Sequence, residues 1–322
     1  MKRVLSGVQP SGKPHLGNYL GAMRQHIAMQ EQHECFLFIA DLHALTTVRS
    51  KEEMQNQTFD LAISYLALGL DPEKTVFFKQ SDLSEHAELC WIFDCITTIP
   101  FLERAHAWKD AQAKQKKEIT VGLFNYPILQ AADILLYNPD LVPVGQDQKQ
   151  HIEMTRDIAQ NFNKIFGETF KLPEAEIKKE VAVVPGTDGQ KMSKSYGNTI
   201  DIFAEEKTLK KQVMGIVTDS TPVEDPKDPE TCNVFTLYKL LASEAEAQAL
   251  AEKYKAGGMG YGEAKKELLN KILEHFASER NRYQELVEKK DYVREVLENG
   301  ATKARIIASK SLETAKKNIG YI

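Results

Sequence analysis

The sequence predicts an α/β fold built on a parallel sheet, followed by an all-α segment. In the first half, short apolar runs alternate with stretches whose apolar residues recur every three or four positions, the pattern of strand–helix–strand units. Beyond about residue 203 strand patterns stop and only helical periodicity remains. With 322 residues, 42% of them hydrophobic, the chain is long enough to bury one large core or two modest ones.

Along the chain, strands are expected at 3–8, 35–40, 76–79 and 141–144. Between them helical spacing covers 16–30, 52–69, 85–98, 126–137 and 148–165. The stretch Lys109–Lys117 is rich in lysine and glutamine and reads as a mobile segment or an exposed helix. A charged run at 173–180 and a Gly, Ser and Lys-rich run at 186–197 read as a linker. Helices are then expected at 205–217, 233–256, 261–289 and 301–317, with a Pro/Asp-rich loop at 219–231. This divides the chain into a sheet-containing unit, 1–196, and a helical unit, 197–322.

Composition narrows the function. A net charge of -5 argues against a protein that coats nucleic acid indiscriminately, while leaving room for a local basic surface. The four cysteines, Cys35, Cys90, Cys95 and Cys232, form no C-x-x-C pair and no His cluster joins them, so neither zinc nor an iron–sulfur cluster is expected. That usage fits a reducing, cytoplasmic setting. No run of about 18 apolar residues and no leader pattern is found, so neither a membrane span nor a signal peptide is expected.

Two segments suggest phosphate chemistry. The first strand runs into the turn Gln9-Pro10-Ser11-Gly12 and then His15-Leu16-Gly17-Asn18-Tyr19-Leu20-Gly21. A helix N-terminus offers unpaired N–H groups to an anion, and Gly17 and Gly21 on one face suggest a close approach to the backbone. Helix–strand packing with an exposed histidine is the alternative. The P-loop pattern is absent. The second segment is Lys191-Met192-Ser193-Lys194-Ser195, preceded by Gly186-Thr187-Asp188-Gly189. Its two lysines and two hydroxyls can surround a polyphosphate, although charge runs are usually only solvated surface.

A third segment, 125–137, is apolar nearly all round except for Tyr126, Gln130, Asp133 and Tyr137, which recur at spacings of 4, 3 and 4. A buried carboxylate needs partners. Either an internal hydrogen-bond network surrounds Asp133, or Asp133 accepts a ligand N–H.

Together these motifs resemble class I aminoacyl-tRNA synthetases. His15-Leu16-Gly17-Asn18 is similar to their HIGH signature, with Asn18 in the last place, and Lys191–Ser195 matches KMSKS. The run from Tyr126 to Tyr137, followed by Val142-Pro143-Val144-Gly145-Gln146-Asp147-Gln148 and His151, resembles the bacterial tryptophanyl branch, as does Asp41-Leu42-His43-Ala44. Two positions depart from that pattern. Gln130 stands where methionine is common, and Gln146 where glutamate is common.

The resemblance implies a Rossmann-like nucleotide-binding domain over 1–196, with a helical dimer-forming insertion at roughly 80–140. It further implies a C-terminal all-α domain over 197–322 that meets the tRNA anticodon. It implies tryptophan activation by ATP and Mg²⁺, then transfer to tRNA(Trp), in a homodimer. His15, Asn18, Lys191 and Lys194 would carry catalysis. Gln9, Pro10, Ser11, Gly17, Asn18, Gly145, Gln146, Asp147, Val184 and Lys191–Ser195, which includes Met192 and Ser193, would hold the nucleotide. Tyr126, Gln130, Asp133, Ile134, Val142, Val144, Gln148 and His43 would hold tryptophan, Asp133 on the indole N–H. The rivals are a tyrosyl-tRNA synthetase, a small adenylyltransferase and an inactive RNA-binding paralogue. From residue 299 onward Lys303, Arg305, Lys310, Lys316 and Lys317 face one acid, Glu313, which on the same resemblance suggests RNA contact.

Overall fold

The computed structural model describes residues 1–105, 108–109, 119–177 and 183–322, and of Asp147 the backbone alone. From residue 110 onward the lysine- and glutamine-rich stretch lies outside the described residues. Five strands are present: β1 (Arg3–Val8), β2 (Glu34–Ile39), β3 (Thr75–Lys79), β4 (Leu141–Val144) and β5 (Glu174–Ile177). They form one parallel sheet in the order β3-β2-β1-β4-β5.

Alternation along β2 gives the sheet two apolar faces. Phe36 and Phe38 join a core with Leu5 and Phe78, while Leu37 and Ile39 join another with Phe77. The Lys51–Ala67 helix covers the second face, and the Glu85–Asp94, Val121–Leu135 and Lys149–Phe166 helices belong to the first. Both faces of a parallel sheet are thus covered, as its strands require.

The first four strands fall where their apolar runs predict. The fifth replaces what reads as linker. Its Glu174 and Glu176 alternate with Ala175 and Ile177, and β5 lies at the sheet edge, where charge is tolerated on a short strand. Other boundaries also move. Thr120 caps the helix Val121–Leu135 through the Leu123 N–H, so Pro127 lies inside the helix and not at its start. The expected helix at 233–256 breaks before Ser243, which forms a capping box with Glu246. The one at 261–289 breaks at Phe276, buried edge-on against Tyr19.

The largest difference concerns the C-terminus. Helices are expected at 261–289 and 301–317, yet one helix runs unbroken from Lys290 to Ile319. Gly300 is where this helix crosses β3: a Cβ there would lie 1.8 Å from the Phe77 carbonyl oxygen. Beyond it Ala301, Ala304, Ala308, Leu312 and Ala315 are buried in the Phe36–Phe38 core. The helices between 206 and 288 likewise share one apolar cluster with Leu37, Ile39 and the Lys51–Ala67 helix. The apolar cluster of the 197–322 segment is thus continuous with that of the sheet-bearing unit, and its last helix contributes to the clusters on both sheet faces.

Gly300→Val is expected to remove about 3 kcal/mol or more of stability, because backbone on both sides must move. Urea denaturation measures this, and an unchanged midpoint would contradict the crossing.

Candidate active site

Strand order reverses between β1 and β4, and in sheets of this kind ligands bind beyond the carboxyl ends of the strands at that point. β1 delivers Gln9-Pro10-Ser11-Gly12 there, with Gly12 at φ +81°, and β4 delivers Gly145 and the turn Gln146–Gln148. A helix of three segments follows the first loop: Leu16–Asn18, a π turn over Tyr19–Met23, and Arg24–Met29. Such π turns often mark functional positions.

His15 is buried, not exposed, and caps this helix. Its Nδ1 accepts from the Asn18 N–H at 3.3 Å, and Asn18 Oδ1 accepts from the His15 N–H at 3.1 Å. Burial, and secondarily Lys194, lower its pKa from 6.5 to about 4. His15 is therefore neutral near pH 7 with its proton on Nε2, a donor. The expectation of unpaired N–H groups is not met. Leu16 N donates to Ile200 O at 2.8 Å and Gly17 N to Met192 Sδ at 3.3 Å. The second bond ends on a thioether, a weak acceptor, which makes it the replaceable one. A Cβ at Gly17 would press on His15 and Met192, whereas Gly21 faces open space, so only Gly17 meets the close-approach expectation.

The low pKa of His15 has a pH consequence. Between about pH 6.5 and 4 the unfolded chain binds more protons at this residue than the folded one, so stability falls as pH drops through that window. His15→Asn should flatten that part of the urea-midpoint profile, and an identical slope would count against the buried neutral ring.

The lysine loop closes over this helix. Pro185 and Lys191 bridge, Met192 N donates to Val184 O at 2.9 Å, and Met192 is buried. Lys194 Nζ donates to Ser11 O. Lys194 faces solvent over much of its length, yet partial desolvation lowers its pKa against the pull of Asp201 and Asp60. Ser193 and Ser195 hydroxyls lie 2.8 Å apart. Asn198 holds the loop together. Its Oδ1 accepts from Ser193 N at 2.7 Å, and its amide donates to Asp188 Oδ1 at 2.7 Å and Lys191 O at 3.1 Å. Gln9, Ser11, Gly145, Gln146, Lys191 and Ser195 are exposed, while Pro10 and Val184 are buried. The Asp147 side chain lies outside the described residues.

The polar stripe on the Val121–Leu135 helix is occupied. Asp133 Oδ1 accepts from Gln80 Nε2 and His86 Nδ1, both at 2.7 Å, and Oδ2 lies 2.8 Å from His43 Nε2. Burial alone would raise the Asp133 pKa, but the hydrogen bonds and charge of His43 and His86 together outweigh it and lower that pKa to about 2. Tyr137 Oη lies 2.9 Å from His86 Nε2, and Tyr126 Oη lies 2.7 Å from His151 Nε2. The internal network and the ligand acceptor are thus not exclusive, since a carboxylate has about four acceptor positions and the described residues fill three. Ile134 and Val142 are buried in the adjoining core with Val144 packed on it, while Gln130 and Gln148 are half-buried.

Gln80, His86, Asn198 and Asp201 escape the sequence reading. Gln80 directly follows β3, a strand end on the ligand side of the sheet, and that position was the available signal.

The family model described as class I tRNA synthetases (W and Y) matches residues 1–277. A tryptophan–tRNA ligase of Fusobacterium nucleatum is 52% identical, with 100% of this chain and 99% of that protein covered. One of Rhodopirellula baltica is 52% identical over 99% of each chain. The crystal structure of Campylobacter jejuni tryptophanyl-tRNA synthetase, complexed with ADP and tryptophan, superposes with a TM-score of 0.95 at 49% identity over 99% of each chain. The chain belongs to the class I tRNA synthetases of the tryptophan and tyrosine group, within the bacterial-type tryptophanyl branch.

Proposed function

We propose that this chain is a tryptophan–tRNA ligase: it activates L-tryptophan with ATP and transfers it to tRNA(Trp), releasing AMP and pyrophosphate. One observation carries the reading beyond resemblance. A fully buried, ionised carboxylate, Asp133, keeps an acceptor position, and its partner His43 accepts through its carbonyl from Gln9 of the loop after β1.

In the first step the tryptophan carboxylate attacks the α-phosphorus and pyrophosphate leaves. The nucleophile is already an anion, so the protein's task is positioning and stabilising charge that builds on the leaving group. Lys194, released from Ser11, and Lys191 would meet that charge, together with the His15 Nε2–H. Asn18 acts by fixing the His15 ring. Gln9, Pro10, Ser11, Gly17, Gly145, Gln146, Asp147, Val184, Met192, Ser193 and Ser195 frame the nucleotide. Mg²⁺ arrives on the ATP phosphates as part of that substrate; among the described residues no trio of His, Cys, Asp or Glu is placed to hold a metal. Tyr126 and Gln148 would hold the amino group, and His43, Ile134, Val142 and Val144 the indole, with Gln130 at its margin.

In the second step the terminal ribose hydroxyl of tRNA(Trp) attacks the adenylate. The helical segment would meet the anticodon. Of the basic residues from 299 onward, Arg305 and Lys316 are bound internally to Glu85 and Glu88, which leaves Lys303, Lys310 and Lys317 exposed. Exposed Trp91 and Ile99 mark the surface proposed for the homodimer. No described helix is long and apolar enough to cross a membrane, and a cytoplasmic site of action fits.

ATP–pyrophosphate exchange with each of the common amino acids tests this reading. Exchange dependent on tryptophan alone is expected. Exchange with tyrosine instead, or with none, would overturn it.

A further inference from the structure

Asp133 is held asymmetrically. Oδ1 takes both donors that have no access to solvent: Gln80 and His86 are each fully buried. Oδ2 faces His43, whose side chain keeps 15% of its surface exposed against 0% for His86. One oxygen is thus spent on fully buried donors, while the other meets a partner that keeps some exposure.

The buried pair is itself fixed. Gln80 Oε1 accepts from Leu42 N at 3.1 Å, which points the Gln80 amide N–H groups at Asp133. His86 Nδ1 must carry a proton to meet a carboxylate, and its Nε2 meets Tyr137 Oη at 2.9 Å. Around the imidazole stand the rings of Phe38, Phe78 and Tyr137, with centroids 5.9, 6.4 and 5.7 Å away. An apolar wall of this kind admits no water to replace the imidazole N–H.

We propose that His86, backed by Tyr137 and joined by Gln80, is a positioning residue that commits Asp133 Oδ1 to the protein and leaves Oδ2 as the acceptor for the substrate's ring N–H. The inference rests on the tryptophan reading above. With His86 absent, Oδ1 loses a donor in a dry site, and the carboxylate is free to rotate. Either oxygen is then a poorer, less directed acceptor, and selection for an N–H bearing ring weakens before other contacts do.

The test uses the full chain and two substrates, tryptophan and β-(3-benzothienyl)-L-alanine, in which sulfur replaces the indole N–H. The ratio of their kcat/KM values in pyrophosphate exchange reports the N–H contact and is insensitive to the fraction of folded enzyme. In His86→Leu this ratio should fall by about tenfold or more, the scale of one hydrogen bond to a charged group, with the KM for ATP unmoved. His86→Asn, whose amide nitrogen can stand in for Nδ1, should restore most of it. An unchanged ratio in His86→Leu, or equal loss in the Leu and Asn variants, would overturn the proposal. Should His86→Leu fail to fold, Tyr137→Phe carries the test, since it removes a single oxygen and keeps the ring. Its ratio should fall about threefold or more, and a wild-type ratio would overturn the proposal. Wild-type enzyme inactive with tryptophan would instead overturn the tryptophan reading itself.

Discussion

Asp133→Asn is expected to lower kcat/KM for tryptophan by about a thousandfold or more in pyrophosphate exchange, the scale on which a site built for a polar partner discriminates. The substitution keeps volume and changes one acceptor into a donor. Gln80 and His86 both require an oxygen at the Oδ1 position, so the new NH₂ group would take the place of Oδ2, facing His43 and the ring N–H. Donor would meet donor at the recognition point. Asp133→Ala should be worse, since it also leaves three donors without an acceptor in a buried site, and removing one partner of such a network costs about 3–5 kcal/mol. Thermal unfolding separates that loss from the kinetic one. A kcat/KM for Asp133→Asn within threefold of the parent would remove this carboxylate from recognition.

Lys194→Ala should lower the turnover of adenylate formation by about a hundredfold to a thousandfold, the range for one group that stabilises developing charge. The KM for tryptophan should stay within a few-fold, because Lys194 lies over Ser11 and Gly12, far along the chain from the helix that bears Asp133. Single-turnover measurement gives both quantities. Equal losses in turnover and in tryptophan affinity would show a general collapse of the loop in place of a role at the leaving group.

Different parts of the molecule were legible in the sequence to different degrees, for physical reasons. β1 to β4 are apolar runs whose length alone excludes most alternatives. β5 was hidden because an edge strand needs apolar residues on one side only, and two glutamates in Glu174–Ile177 read as solvent-facing coil. The helix expected at 301–317 starts just past Gly300, whereas here that glycine lets a longer helix pass over a strand. The lysine loop was legible because its residues are contiguous. The shell of Asp133 was not, because His43, Gln80 and His86 reach it from three separate elements. A buried carboxylate shows that donors must exist; which ones is decided by the sheet order, and periodicity does not encode that. Asn198 illustrates the same limit at short range: an asparagine three residues past a motif looks like any turn residue until its hydrogen bonds to Ser193 N, Asp188 and Lys191 O are seen.

The helix that ends at Ile319 bears on how the protein is made. It is synthesised after every strand of the sheet, and Arg305 meets the Asp82 carbonyl across 223 positions. Until then the nascent chain carries an oily sheet surface, including Phe36, Phe38 and Phe78, without its alanine-rich cover. Contacts so distant in sequence form late and slowly, and half-made chains of this type aggregate readily. Arrival of this helix, more than completion of the strands, therefore sets the moment at which that sheet face is covered.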